Sequence, residues 1–328
     1  MVIAKIHQLK SDDFSKYDWL DLIIVSLAFL FYTTILWDIS IARSCYLLLA
    51  LIALYLIVTR KITYELSKLE KLFLWSIAAY FCWILITYFI NDMPERGGRW
   101  IMNRQLRILL IIPIYLMLRS RPIPVNAWWL MISCGAIVAG LIGITQVNWA
   151  PGWPSGRAAG DIGAILFGGI SLCMAFMSLT GIKYFSGKKI ATLFLVPVCL
   201  GLLAMILSGT RGVWISLPFI ILIIFWIFAR KYSIQRKILI LLALLLIPGV
   251  LLQFPSTKSR LDIAITNFNN YTQSENINDL SKNDSVGLRI ETWRIMLDTV
   301  KENPMFGIGI GGYKAERQRH IENEKVSK

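Results

Sequence analysis

The chain alternates long apolar runs with short polar connections as far as residue 252 and is polar for much of its remainder. Runs of roughly 17–25 apolar residues can cross a bilayer as helices, and about nine approach that requirement. They are residues 20–37, 41–58, 72–90, 106–118, 127–147, 162–180, 190–207, 213–229 and 237–252, of which the fourth is short. The pattern predicts an all-α fold, a polytopic integral membrane protein. A transmembrane helical domain is expected over 1–252 and a helical polar segment over 253–328.

Within that segment, Lys258 to Leu280 reads as a helix and an Asn-, Ser- and Thr-rich connection. Ser285 to Tyr313 then opens with an amphipathic helix, for which Asp284 or Ser285 can serve as N-cap. At ~100° per residue, Arg289 lies in one stripe with Val286, Trp293, Met296, Leu297 and Val300. Glu291, Arg294, Asp298, Lys301 and Glu302 gather on another side. Arg289 is therefore expected on the buried face, which is costly unless an anion or polar group meets it. Asn303-Pro304 ends the helix. Gly307, Gly309 and Gly312 match G-x-G-x-x-G by letter, but no βαβ unit surrounds them. They are expected to turn the chain tightly or let it pack back against the membrane helices.

A hydrophobic content of 56% and a mean hydropathy of +0.60 exclude an ordinary soluble domain of 328 residues. Lys5, Lys10, Asp12, Asp13, Lys16 and Asp18 precede the first run, and no small-residue cleavage site follows it, so that run is expected to remain in the protein. Cys45, Cys82, Cys134, Cys173 and Cys199 fall in or beside apolar runs and read as small packing residues. No disulfide framework, metal site or cofactor is expected.

The net charge of +14 sits in the connections, which favours membrane loops over nucleic acid. With the N-terminus cytoplasmic, Arg60, Lys61, Lys68 and Lys71 fall inside, as do Arg119 and Arg121, then Lys183, Lys188 and Lys189, then Arg230, Lys231, Arg236 and Lys237. Through residue 252 the opposite loops hold no lysine, yet they keep Arg43, Arg96, Arg99, Arg104, Arg107, Arg157 and Arg211. Arginine offers a planar fork of donors suited to phosphate, and lysine does not. Two readings stay open for each: phosphate recognition, or snorkelling at a helix end.

Three outer connections stand out. In residues 91–107, Arg104 and Arg107 can share a helix face ahead of the fourth run, as an anion-collecting rim or as an interfacial helix on lipid headgroups. Residues 148–161, N-W-A-P-G-W-P-S-G-R-A-A-G-D, form an interfacial loop in which Trp149 and Trp153 suit anchoring, Arg157 is presented and Asp161 precedes the next helix. In L-S-G-T-R-G-V-W-I-S-L-P-F, residues 207–219, only Ser208 to Gly212 separate two runs. Arg211 is held there at the membrane boundary, an expected functional position. Ser208, Thr210 and the N–H groups opening the next helix would add donors for an anion.

Arg211 in a short outer loop, followed by an outer segment with G-L-R-I-E-T-W and N-P-M-F-G-I-G-I-G-G-Y, resembles the O-antigen ligase/polymerase superfamily, with closer likeness to the lipopolysaccharide O-antigen ligase. The resemblance spans nearly the whole chain in topology, and in motifs only 207–219 and 285–313. It implies a GT-C-like inverting, metal-independent glycosyltransferase of the bacterial inner membrane, with residues 253–328 periplasmic. Such an enzyme moves O-antigen from undecaprenyl-diphosphate to the lipid A-core, with membrane lipids as surroundings and no nucleic acid. By this likeness Arg211 and Arg289 are the catalytic arginines gripping the diphosphate; Arg157, Arg104, Ser208 and Thr210 are expected to assist in binding. The outer face offers no Asp/Glu/His cluster for a metal, so arginines are expected to supply the positive charge.

The family's H-x-H-N motif, implied to activate the acceptor hydroxyl, has no counterpart before Lys328. The sequence therefore reads as a C-terminally truncated ligase, expected to be inactive alone. His7 and His320 are its only histidines; His320, in E-R-Q-R-H-I-E-N-E-K, is expected to be a solvated surface residue. Two other functions remain open: a polymerase of the same superfamily, which would extend a carrier-linked oligosaccharide, and a transporter of an anionic lipid-linked substrate.

Overall fold

The computed structural model describes residues 17–91, 99–149, 156–185, 189–210 and 285–326, with scattered positions between 212 and 266. Among the described residues the elements are helices; those long and apolar enough to cross a membrane number six, with Trp19–Thr34 a shorter apolar helix. The protein is a multi-pass membrane protein. The expected runs 213–229 and 237–252, and the helix expected after Lys258, lie largely outside the described residues, as does His7.

The helices are α1 (Trp19–Thr34), α2 (Ile39–Val58), α3 (Lys68–Ile90), α4 (Arg99–Leu109), α5 (Ile111–Ser120), α6 (Val125–Gln146), α7 (Ala164–Tyr184), α8 (Leu195–Ser208), α9 (Ser285–Glu302) and α10 (Tyr313–Val326), with a 3-10 turn, Lys189–Phe194, before α8. Polar residues at the run boundaries start several of them. Asp18 and Asp21 make a capping box on α1, Asp38 accepts from the Ser40 and Ile41 N–H groups of α2, and Ser67 with Glu70 makes a second capping box on α3. The fourth run differs from its short expected form. It reaches back through α4, so that Ile101–Ser120 is long enough to span, and Arg104 and Arg107 share its first helix as expected, exposed and within the candidate span instead of ahead of it.

The chain forms two compact units, residues 1–62 with 117–255, and 63–116 with 256–328. In the first, α6, α7 and α8 pack together through small residues. A methyl group on Gly140 would meet Leu200 Cβ at 2.6 Å, and one on Gly201 would meet Ala175 Cβ at 2.9 Å. Such contacts let helix backbones approach closely where no water drives association. The core behind them contains Leu36, Ile132, Ala136, Ala139, Phe167, Met174, Ala204 and Leu207. At one end of this unit the guanidinium of Arg121 meets the Asp21 carboxylate at 2.8 Å. At the other, the turn after α1 meets the loop before α7: Asp161 N–H donates to Leu36 O, and its Oδ2 accepts from Ile39 N at 3.0 Å.

In the second unit, α3 and α4 share a cluster of Phe81, Ile84, Tyr88 and Met102. Tyr115 donates to Glu70 at 2.9 Å near the start of α3. α9 and α10 form a hairpin joined by the Thr292 and Tyr313 hydroxyls at 2.8 Å. The connection between them carries positive φ at Gly307, Gly309 and Gly311, and Ile310 packs against the α3–α4 cluster. The glycines thus serve the tight turn and the return to a membrane helix.

Candidate functional site: an arginine-fastened corner

Three of the expected site residues meet at the end of α8. Gly209 takes the left-handed conformation, φ 59, that ends the helix, and its N–H donates to Ile206 O. Ser208 and Thr210 flank it and are buried, at 0% and 5% exposure. Ser208 Oγ donates to Met205 O at 2.7 Å and lies 3.2 Å from Thr210 Oγ1. The Thr210 hydroxyl donates to Ala164 O at 2.9 Å, at the start of α7. Its single proton is thereby committed, and its lone pairs are left to accept. Val213 N–H donates to Thr210 O, so a new turn begins directly after the corner.

Arg157 closes this corner from a loop about fifty residues earlier, across the kind of sequence separation local patterning cannot bridge. Its Nε donates to Ser208 O at 2.9 Å and its Nη2 to Thr210 Oγ1 at 3.3 Å. Among the described residues these are its hydrogen-bond partners, and the side chain remains exposed. A guanidinium carries five N–H donors, so donors remain for a ligand. The loop holding Arg157 is itself fixed. Ala158 N–H donates to Leu207 O, and Gln146 Oε1 accepts from the Ala159 and Gly160 N–H groups at 3.0 and 2.9 Å.

Sequence reasoning missed the residues beneath. Gly168 on α7 leaves room for Ser208, since a methyl group there would strike Ser208 Oγ and lie 3.1 Å from Ser208 Cβ. Gly160, at φ 54, brings the loop onto the Leu36 carbonyl. The Gly168-Gly169 pair within an apolar run was the available signal, and it said only that something approaches closely.

The other expected residues fall elsewhere. Arg211, the next residue after Thr210, lies outside the described residues, as do Arg96 and Trp153. Trp149 is exposed and donates from Nε1 to Ile144 O at 2.9 Å. Arg104 is on α4 and Arg289 on α9, in the second unit. Arg289 is exposed, which corrects its expected burial. The packed face of α9 is formed by Ile295 and Thr299, at 4% and 3% exposure, and by Thr292. Thr299 fits because its hydroxyl donates to Ile295 O within the helix at 2.7 Å.

His320 also departs from expectation, being only 25% exposed, with Nε2 3.4 Å from Glu316 Oε1 and without a hydrogen-bond partner among the described residues. Glu316 and Glu302 both accept from Arg319, and hydrogen bonds first to Glu302 and then to Glu316 push that guanidinium's pKa up.

Residues 196–327, which include the corner and the α9–α10 hairpin, match the model of a family described as O-antigen ligase. This part of the chain is similar to the O-antigen ligase family domain. The family match thus contains Ser208, Thr210, Arg211 and Arg289. Arg157 and Arg104 precede it. An uncharacterized protein of Haemophilus influenzae is 29% identical over 289 residues, 86% of this chain and 69% of that protein. No solved structure matches the chain.

Proposed function

We propose that this protein is an O-antigen ligase of the bacterial inner membrane, an inverting, metal-independent glycosyltransferase. It transfers O-antigen from undecaprenyl-diphosphate to a hydroxyl of the lipid A-core at the periplasmic face. The observation that carries this reading is the Arg157 guanidinium bound to the Ser208–Thr210 corner, which leads directly into Arg211 within the family domain.

In the proposed reaction the acceptor hydroxyl oxygen attacks the anomeric carbon of the donor sugar. The bond from that carbon to the diphosphate oxygen breaks on the opposite side, and the configuration inverts. The hydroxyl proton leaves to the base that the family resemblance assigns to the H-x-H-N motif, and undecaprenyl diphosphate departs with the bonding electrons. Negative charge builds on the diphosphate as the bond breaks, so cations placed there stabilise the transition state more than the bound donor. Arg211 and Arg289 supply that charge by bidentate hydrogen bonding. Arg157 adds a third, prefixed guanidinium, while Ser208 and Thr210 hold the corner in shape. The exposed Arg104 collects the anionic donor electrostatically.

The reading is tested by replacing Arg211 or Arg289 with Ala in a full-length version that carries the H-x-H-N motif, and resolving the lipopolysaccharide made. Loss of O-antigen from the lipid A-core, with unchanged protein in the membrane, supports it. Normal ligation in both variants contradicts it, and extension of carrier-linked oligosaccharide in place of the lipid A-core makes the protein a polymerase.

A further inference from the structure

α9 carries three distinct strips. Thr292, Ile295 and Thr299 form the packed side, and Arg294 and Lys301 stand in the open on a polar side. The third strip is apolar yet uncovered, with Trp293, Leu297 and Val300 exposed at 67%, 63% and 60%. These three and the exposed Arg289 fall within about 80° of arc at ~100° per residue. The uncovered strip continues past the helix into Met305 and Phe306.

What covers this strip follows from where the chain after α9 is fastened. The Phe306 ring stacks on that of Trp83, with centroids 5.8 Å apart and an interplanar angle of 14°. Ile310 packs against the cluster of Phe81, Ile84, Tyr88 and Met102. Trp83 and Ile84 lie on α3, a 23-residue candidate membrane span. They are roughly 10 Å from its C-terminal end at 1.5 Å per residue. The contact is therefore within the apolar length of the span, at hydrocarbon depth near one boundary of a bilayer core ≈ 30 Å thick. Trp75, Ile86, Phe89 and Ile90 on the same span are exposed large apolar residues, as a lipid-facing helix requires. A helix whose C-terminus is tied a few residues from that contact cannot stand far from the bilayer.

We propose that α9 is an interfacial helix lying on the phospholipid bilayer, with Trp293, Leu297 and Val300 against acyl chains and Arg289 at the depth of the lipid phosphates. The residue types match the depths. Indole rings favour the headgroup boundary, aliphatic side chains favour the hydrocarbon beneath, and arginine buries its stem while its head meets phosphate. Arg294 and Lys301 then face water. The inference is independent of glycosyl transfer, although it would set Arg289 at the level where any membrane-borne phosphate lies.

The test places the photoreactive residue p-benzoylphenylalanine at Trp293 in the full chain, irradiates native membranes and identifies adducts by mass spectrometry. Leu297 serves as a second stripe position in case the first variant does not insert, and Arg294 as the control. Phospholipid adducts at 293 or 297, at least tenfold above those at 294, are expected. Overturning results are cross-links from the stripe to this chain or another protein, polyprenyl-diphosphate adducts alone, equal phospholipid yield at 294, or no adduct at either stripe position.

Discussion

Arg157 donates to the Ser208 carbonyl oxygen at 2.9 Å, and this bond ties the loop before α7 to the end of α8. Together with its second bond, to Thr210 Oγ1, it makes Arg157 a fastener of the corner as well as a cation beside it. A charged donor to a buried neutral acceptor is worth about 1.5–3 kcal/mol.

Replacing Arg157 with Ala should lower the rate of O-antigen transfer by roughly 10- to 100-fold, the equivalent of that energy. Arg157→Lys should recover little, because a lysine places a point charge where the corner accepts a two-pronged fork. Transfer rates compared at matched membrane abundance check both outcomes. Full activity in the lysine variant would show that charge alone is needed.

Gly168 and Gly169 separate a steric role from a helix-propensity role. A methyl group at 168 runs into Ser208, while the nearest atom to one at 169 is Val213 Cγ2 at 4.0 Å. Gly168→Ala should therefore lose about 1–3 kcal/mol by overpacking, whereas Gly169→Ala should be neutral or slightly stabilising. Thermal unfolding of the detergent-solubilised protein reads the difference.

Most of the membrane helices were legible because a bilayer demands apolar length, and α2, α3, α6 and α7 begin and end close to their apolar runs. The fourth was underestimated because Arg104 lies just ahead of the apolar run, although a helix can carry arginines with their heads exposed. Arg157, Ser208 and Thr210 were each legible as polar residues at a boundary. Their union was not, because it is a tertiary contact between distant loops. The face of α9 that packs was misread for a different reason. Apolar stripes pack inward in water-soluble proteins, but beside a membrane they can face lipid, and threonines pack inward when their hydroxyls bond locally, as Thr299 does.

Tyr313→Phe should destabilise the α9–α10 hairpin by about 1 kcal/mol, the usual net value of a hydroxyl hydrogen bond. Thr292→Val should do the same. The double variant should lose less than the sum if the 2.8 Å bond between the two hydroxyls is what each replacement removes. Hydrogen exchange at α10 amides measures the effect, and strict additivity would deny the coupling.

The most direct measurement is reconstitution of the purified protein, in a version that carries the H-x-H-N motif, in liposomes with an undecaprenyl-diphosphate-linked O-antigen donor and lipid A-core acceptor. Released undecaprenyl diphosphate and glycosylated lipid A-core are quantified together. The account predicts equal amounts of both products with an inverted anomeric linkage, and a fall on the order of 10²–10³ in rate for Arg211→Ala. Transfer that is unchanged in that variant, or no glycosylated lipid A-core from the intact protein, would contradict it.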